Sequence, residues 1–182
     1  MDRHWLLTST FYGNWLPGEQ CGFVSRVRDR RPDDPESASR LDHNEPKTEY
    51  DRDIAGLRQS ARELMRGEPI RLNAEQARIL MEQFKETARF RNWKIYAAAI
   101  MADHVHLVVG VNGDPEPWKI LGDFKSYGSR ALTRQFGKPA SETWWTSKGS
   151  TRKLPDEKAL QAAIAYVLNQ KDALAIYAHE DS

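Results

Sequence analysis

KIYAAAIMADHVHLVVGV, residues 94–111, is the stretch on which the reading of this chain turns. It holds two apolar runs separated by Ala102 and Asp103. The first, KIYAAAIM (94–101), has no polar residue after Tyr96 and reads as a strand buried on both faces. The second, HVHLVVGV (104–111), is rich in β-branched residues and reads as a second strand. A link this tight joins antiparallel neighbours, so the pair is expected to be a hairpin. Side chains alternate along a strand, so His104 and His106 share one face, while Val105, Leu107 and Val109 share the other and are free to be core.

The flanks extend this hairpin into a layered domain. Upstream, Asn73 is an expected N-cap, followed by Glu75 and Gln76. Ala77, Leu80, Met81, Phe84 and Ala88 then recur at helical spacing, so 73–90 reads as an amphipathic helix with one buried stripe. Downstream, 117–136 reads as a second helix. It carries Trp118, Ile120, Leu121, Phe124, Leu132 and Phe136, with Lys119, Lys125, Arg130 and Arg134 between them. HWLLTSTFY (4–12) reads as the first strand, closed by Gly13, Pro17 and Gly18. TWWTSKGSTRKL (143–154) reads as a short strand with a turn at Gly149, and Pro155 and Asp156 open a last helix to about Ala178. The order β–α–β–β–α–β–α, with the helices expected on one side, implies an α+β domain around an antiparallel sheet.

Residues 19–72 differ in character. They are charged, carry prolines and show no clean period, and they read as a long solvated insertion with a short helix around IAGLRQSARELMRG (54–67). A DNA-contacting arm built on Arg26, Arg28, Arg30 and Arg31 is the less favoured reading of this segment. The expected organisation is one domain over residues 1–182, with an insertion at about 19–72.

Composition narrows the function. The chain has 182 residues, 40% hydrophobic and 29% charged, which suits one globular domain rather than a disordered polymer. No run approaches the roughly 18 apolar residues of a membrane span, and the N-terminus does not read as a signal peptide. A single cysteine, Cys21, excludes an internal disulfide and a Cys-rich zinc site. A cytoplasmic, nucleoid-associated location is expected. The net charge of +1 neither advertises nor excludes nucleic-acid binding, since a basic face can sit on a neutral chain.

Two features carry chemistry. Paired imidazoles on one sheet face repel when protonated, and a cation ligated by both removes the conflict. In the last helix, Leu160, Ile164, Val167 and Leu168 form an apolar stripe. Tyr166 lies about 200° around from Ile164, and Gln170 follows it by one turn. The Tyr166–Gln170 face is therefore expected to look away from its own sheet, toward another partner. A tyrosine can act as a covalent nucleophile. Two histidines and a glutamine carbonyl would leave positions on a divalent ion for phosphate oxygens, which a phosphodiester needs as charge builds on it. Tyr127 lacks a ligand-type residue one turn on, since Ala131 stands there.

HVHL at 104–107, preceded by Met101-Ala102-Asp103, resembles the His-hydrophobic-His (HUH) motif of single-strand DNA endonucleases. YVLNQ at 166–170 resembles the Tyr-x-x-x-Gln of IS200/IS605-type Y1 transposases and their relatives, the REP-associated tyrosine transposases. The resemblance covers residues 4–16 and 73–178 in the family's order. It implies a ferredoxin-like fold and metal-dependent cleavage and rejoining of single-stranded DNA at hairpin-flanked sites. It implies that Tyr166 forms a 5′-phosphotyrosine link and releases a 3′-OH, and that His104, His106 and Gln170 hold Mg²⁺ or Mn²⁺. Two imidazoles suit Mn²⁺ better, while Mg²⁺ prefers oxygen, and activity with both is expected. It also implies a homodimer in which the tyrosine helix completes the partner's site. Lys119, Lys125, Arg130, Arg134, Lys138, Lys148, Arg152 and Lys153 are candidate phosphate contacts, and the outward member of Trp144–Trp145 is a candidate base-stacking ring.

Two other readings remain. A domesticated relative could bind DNA hairpins without cleaving them. An unrelated His-based phosphodiesterase fits poorly: a histidine-triad enzyme needs a third alternating histidine, and Val108 stands there.

Overall fold

A computed structural model of the chain describes residues 3–16 and 55–179. These fall into two compact units, one within Met1–Asn14 and Arg66–Ser182, the other within Trp15–Met65. In the second unit the described residues include helix α1 (Ala55–Glu63). Residues 19–54 of the expected insertion, with its four arginines and Cys21, lie outside the described residues. Residues 70–72 go with the first unit: Leu72 is buried in its core and Ile70 packs against it.

The first unit is built on five strands: β1 (Arg3–Thr10), β2 (Lys94–Ile100), β3 (His104–Val111), β4 (Ser150–Leu154) and β5 (Ala175–Ala178). They form one antiparallel sheet in the order β4-β1-β3-β2-β5. The first four strands have the order of a ferredoxin-like sheet, and β5 extends it beyond β2. The hairpin 94–111 sits inside the sheet, which is why both of its strands are buried almost throughout.

Helices α2 (Ala74–Arg91) and α3 (Pro117–Phe136) pack on one face. Asn73 caps α2 as expected, and its side chain and that of Gln76 close a reciprocal capping box. Leu80, Phe84, Ile120, Phe124 and Leu132 meet Leu7, Val105, Leu107 and Val109 in the main core. Gly128 lets the two helices approach, because a Cβ there would stand 2.6 Å from Leu80 Cδ1.

Four expectations are corrected here. Helix α4 (Glu157–Leu168) lies on the opposite face, so the helices are not all on one side. Ala97, Ala99, Val108 and Leu154 are apolar on that face too, and Leu160, Ala163 and Val167 cover them. The last helix stops at Leu168 rather than near Ala178. Asp172 takes a left-handed backbone (φ 61°), the chain turns, and 175–178 pair with β2. In 143–154 the regular strand is only Ser150–Leu154. The preceding residues are irregular; Trp145 forms an isolated bridge with Phe11, just past β1, and the Thr146 N–H donates to the Thr10 carbonyl. Both tryptophans are buried. Trp144 Nε1 donates to Thr133 Oγ1, Trp145 Nε1 donates to the Lys125 carbonyl, and Trp145 stacks on Phe11, so neither ring is available to a base.

Candidate active site on the sheet face beneath helix α4

The register of β1 and β3 builds the site. Thr10 stands opposite His104 and Thr8 opposite His106, and Ser150 of β4 stands opposite Thr8. Opposed residues of an antiparallel ladder share a face, so these side chains lie on the α4 side of the sheet. His104 and His106 are neighbours there, with ring centroids 4.9 Å apart and planes nearly perpendicular. The shared face expected from the HxH spacing is borne out.

Each imidazole is held at Nδ1. His104 Nδ1 lies 2.6 Å from Asp103 Oδ1, and His106 Nδ1 lies 2.7 Å from Thr8 Oγ1. The hydrogen bond from His104 holds the Asp103 carboxyl below its ordinary value, against its partial burial. His106 is only 4% exposed. Burial first, and the neighbouring His104 second, push its pKa down to about 3, so its ring is neutral near pH 7.

Tyr166 arrives from the other layer. Asp156 caps α4, its side chain accepting from the Ala159 N–H. Ala163, one turn before Tyr166, is buried against the sheet, and its small side chain lets the helix lie close. The Tyr166 hydroxyl then comes 3.3 Å from His106 Nε2, with ring centroids 5.2 Å apart, while half of the residue stays exposed. This corrects the expectation that Tyr166 looks away from its own sheet. The apolar stripe is centred on Leu160, Ala163 and Val167, and Tyr166 flanks it.

Gln170 follows the helix end, and its Nε2 donates to the Tyr166 carbonyl. Among the described residues, no group of three or more His, Cys, Asp or Glu side chains is arranged to hold a metal ion. The ligand-type cluster is thus the imidazole pair, with the phenol beside it.

The basic candidates separate by layer. Arg152 stands opposite Leu6, on the same face as Thr8 and His106, and is exposed. Lys148 lies just before β4, and Lys153 is on the alternate face of that strand. Lys119, Arg130 and Arg134 belong to α3, in the opposite layer, as does Tyr127, whose ring lies under the Arg130 guanidinium. Lys138 also follows α3 and approaches Glu142. Lys125 is largely buried. Its ammonium donates to the carbonyls of Thr146 and Lys148, and burial pushes its pKa down to about 8. It holds the 146–148 loop, and that loop meets Thr10 through a 2.8 Å bond between the Thr10 and Thr146 hydroxyls. Asp103 and Thr8 are the site residues that the HxH pattern alone did not single out. Asp103 adjoins the motif, whereas Thr8 becomes visible only through strand register.

No described helix is long and apolar enough to cross a membrane. No curated protein matches this chain significantly. Among solved structures, it is similar to a REP-associated tyrosine transposase bound to a REP hairpin, at 11% identity and a TM-score of 0.50. That similarity covers 91% of this chain and 64% of the other, so the chain spans less than two thirds of that relative. A protein from Deinococcus radiodurans assigned as a transposase is similar at 11% identity and a TM-score of 0.44, covering 93% and 92% of the two chains. The family model described as "Transposase IS200 like" matches residues 68–170. That span is more than half of the 182 residues and contains His104, His106, Tyr166 and Gln170, and on it the chain belongs to the IS200-like transposase family.

Proposed function

We propose that this chain cleaves and rejoins single-stranded DNA at hairpin-flanked sites, with Tyr166 as nucleophile and His104 and His106 as ligands of a divalent cation. One observation carries the reading: the Tyr166 hydroxyl stands 3.3 Å from a neutral imidazole that is itself paired with a second. A phenol beside two ligand-type nitrogens suits phosphodiester chemistry, because nucleophile and charge-stabilising centre must meet at one phosphorus. Family membership and the likeness to a hairpin-bound relative support the substrate class.

The donor set fits the implied cation in part. Two imidazoles on one sheet face can share an ion and leave positions for water or phosphate oxygens, as Mn²⁺ or Mg²⁺ requires. Gln170, one turn after Tyr166, would be the third ligand, its carbonyl oxygen facing the ion. A bound cation would stabilise charge on the non-bridging oxygens. The protein supplies the rest. Tyr166 attacks phosphorus in line, forming the 5′-phosphotyrosine bond as the bond to the 3′ oxygen breaks. The phenol proton passes to solvent, and the released 3′ oxygen takes one up. Attack by a 3′-OH on the phosphotyrosine reverses the exchange and rejoins the strand.

Arg152 and Lys148 are the phosphate contacts this reading favours, because they lie beside the site, whereas Lys119, Arg130 and Arg134 are a layer away. The nucleophile and both histidines come from one chain here. A second copy, which the motif resemblance implies, would bring a second complete site. The enzyme would act in the cytoplasm, on nucleoid DNA.

The test is covalent capture. Protein is incubated with Mn²⁺ and labelled single-stranded hairpin oligonucleotides, and adducts are resolved on a denaturing gel beside Tyr166→Phe. An adduct carrying the DNA 3′ of the nick, absent from the variant, is expected. Nicking that survives in Tyr166→Phe refutes the assignment. Hairpin binding without any adduct, indifferent to chelator, would make the chain a non-catalytic hairpin binder.

A further inference from the structure

We infer that Asp103 and Thr8 are positioning residues that fix the tautomer of the two imidazoles, so that each carries its proton on Nδ1 and presents Nε2 as the ligand nitrogen. Their purpose rests on the metal reading above, but the tautomers themselves do not. Both rings are engaged at the same atom, by residues from different parts of the fold: 2.6 Å from Asp103 Oδ1 to His104 Nδ1, and 2.7 Å from Thr8 Oγ1 to His106 Nδ1.

A carboxylate can only accept, so the His104 proton sits on Nδ1. At His106 a hydroxyl could act in either sense, and Tyr166 decides between them. The phenol is the better donor of the two hydroxyls, and it stands 3.3 Å from Nε2. The consistent chain runs from the Tyr166 O–H to His106 Nε2, and from His106 Nδ1–H to Thr8 Oγ1. The supports are rigid. The Asp103 carbonyl accepts from the Phe11 N–H, the Met101 N–H donates to the His104 carbonyl, and Thr8 is locked between β3 and β4. Orienting partners of this kind fix ring direction and raise ligand basicity in metal sites.

The test reads tautomers directly. The full chain, ¹⁵N-labelled at histidine and free of metal at pH 8, is examined by long-range ¹H–¹⁵N correlation. Both rings are expected in the Nδ1–H form. Asp103→Leu should switch only His104 to the Nε2–H form, and Thr8→Val only His106. Mn²⁺ affinity, followed by electron paramagnetic resonance, should fall about 10- to 100-fold in each. Circular dichroism reports whether each variant folds. If Asp103→Leu does not, Asp103→Asn, whose amide oxygen accepts more weakly, should show a smaller loss of the same kind. Wild-type rings in the Nε2–H form overturn the inference whatever the metal does, and so does unchanged Mn²⁺ affinity in both variants. Nδ1–H tautomers in a wild type that binds no Mn²⁺ would uphold the tautomer assignment and refute the metal reading instead.

Discussion

Acid offers a direct test of the environment assigned to His106. In the folded protein its pKa is held at about 3 against an ordinary 6.5, chiefly because the ring is buried, and next because His104 is beside it. The unfolded chain therefore binds a proton more readily than the folded one between those values. The sign follows: this contribution to stability is complete above about pH 6.5 and is lost as pH falls toward 3. A gap of about 3.5 units at 1.36 kcal/mol each gives a total near 5 kcal/mol, of which about 2 kcal/mol is gone by pH 5. Little discount for solvent applies, since the residue is 4% exposed. For a chain of this length, 2 kcal/mol lowers the melting temperature by roughly 4–8 °C. Urea unfolding, followed by tryptophan fluorescence in chelated buffer at pH 7.5, 6 and 5, measures it. His106→Asn serves as the reference. Wild type should lose about 2 kcal/mol more than the variant over that range. Parallel pH profiles for the two proteins would refute the reasoning.

Gly128→Ala puts a Cβ 2.6 Å from Leu80 Cδ1 and 3.4 Å from Phe84, inside the α2–α3 contact. It should cost about 1–3 kcal/mol in denaturant titrations while leaving adduct chemistry per folded molecule unchanged. Gly149→Ala brings a Cβ to 2.5 Å from the Thr8 carbonyl, which is backbone and cannot swing aside. It should lower stability and Mn²⁺ affinity together, because the strand it pushes carries the His106 partner. Lys125→Met keeps the stem but removes the donor to two loop carbonyls. A loss of about 1–3 kcal/mol is expected, with faster proteolysis near 146–148.

Much of the frame was legible in local pattern. Strand β3 and helix α3 match their expected limits, because β-branched runs and a Pro start leave little choice. The double-sided burial of KIYAAAIM held more than was drawn from it: a strand buried on both faces needs a layer on each, and α4 supplies the second. The end of α4 was hidden because ALAIYA continues the apolar character of the helix, with neither Gly nor Pro to stop it. The shared face of His104 and His106 followed from the two-residue period. Where Tyr166 points did not. It depends on how closely the helix lies on the sheet, and that closeness comes from Ala163, a residue too small to stand out in a hydrophobic stripe. Thr8 could not have been found locally, since 98 residues separate it from the ring it holds.

The short strand β5 changes what kind of object the tyrosine helix is. Four residue pairs join it to β2, from Ala97–Ala178 to Ile100–Ala175, and β4 ties the other end of the helix to β1. A segment fastened at both ends is a bridge rather than an arm. Exchange of this segment with a second copy would require β5 to leave its four pairings with β2. If the chain cuts and joins DNA as proposed, a helix that keeps this pairing returns its phenol to the same pair of rings each time, and the DNA ends do the travelling.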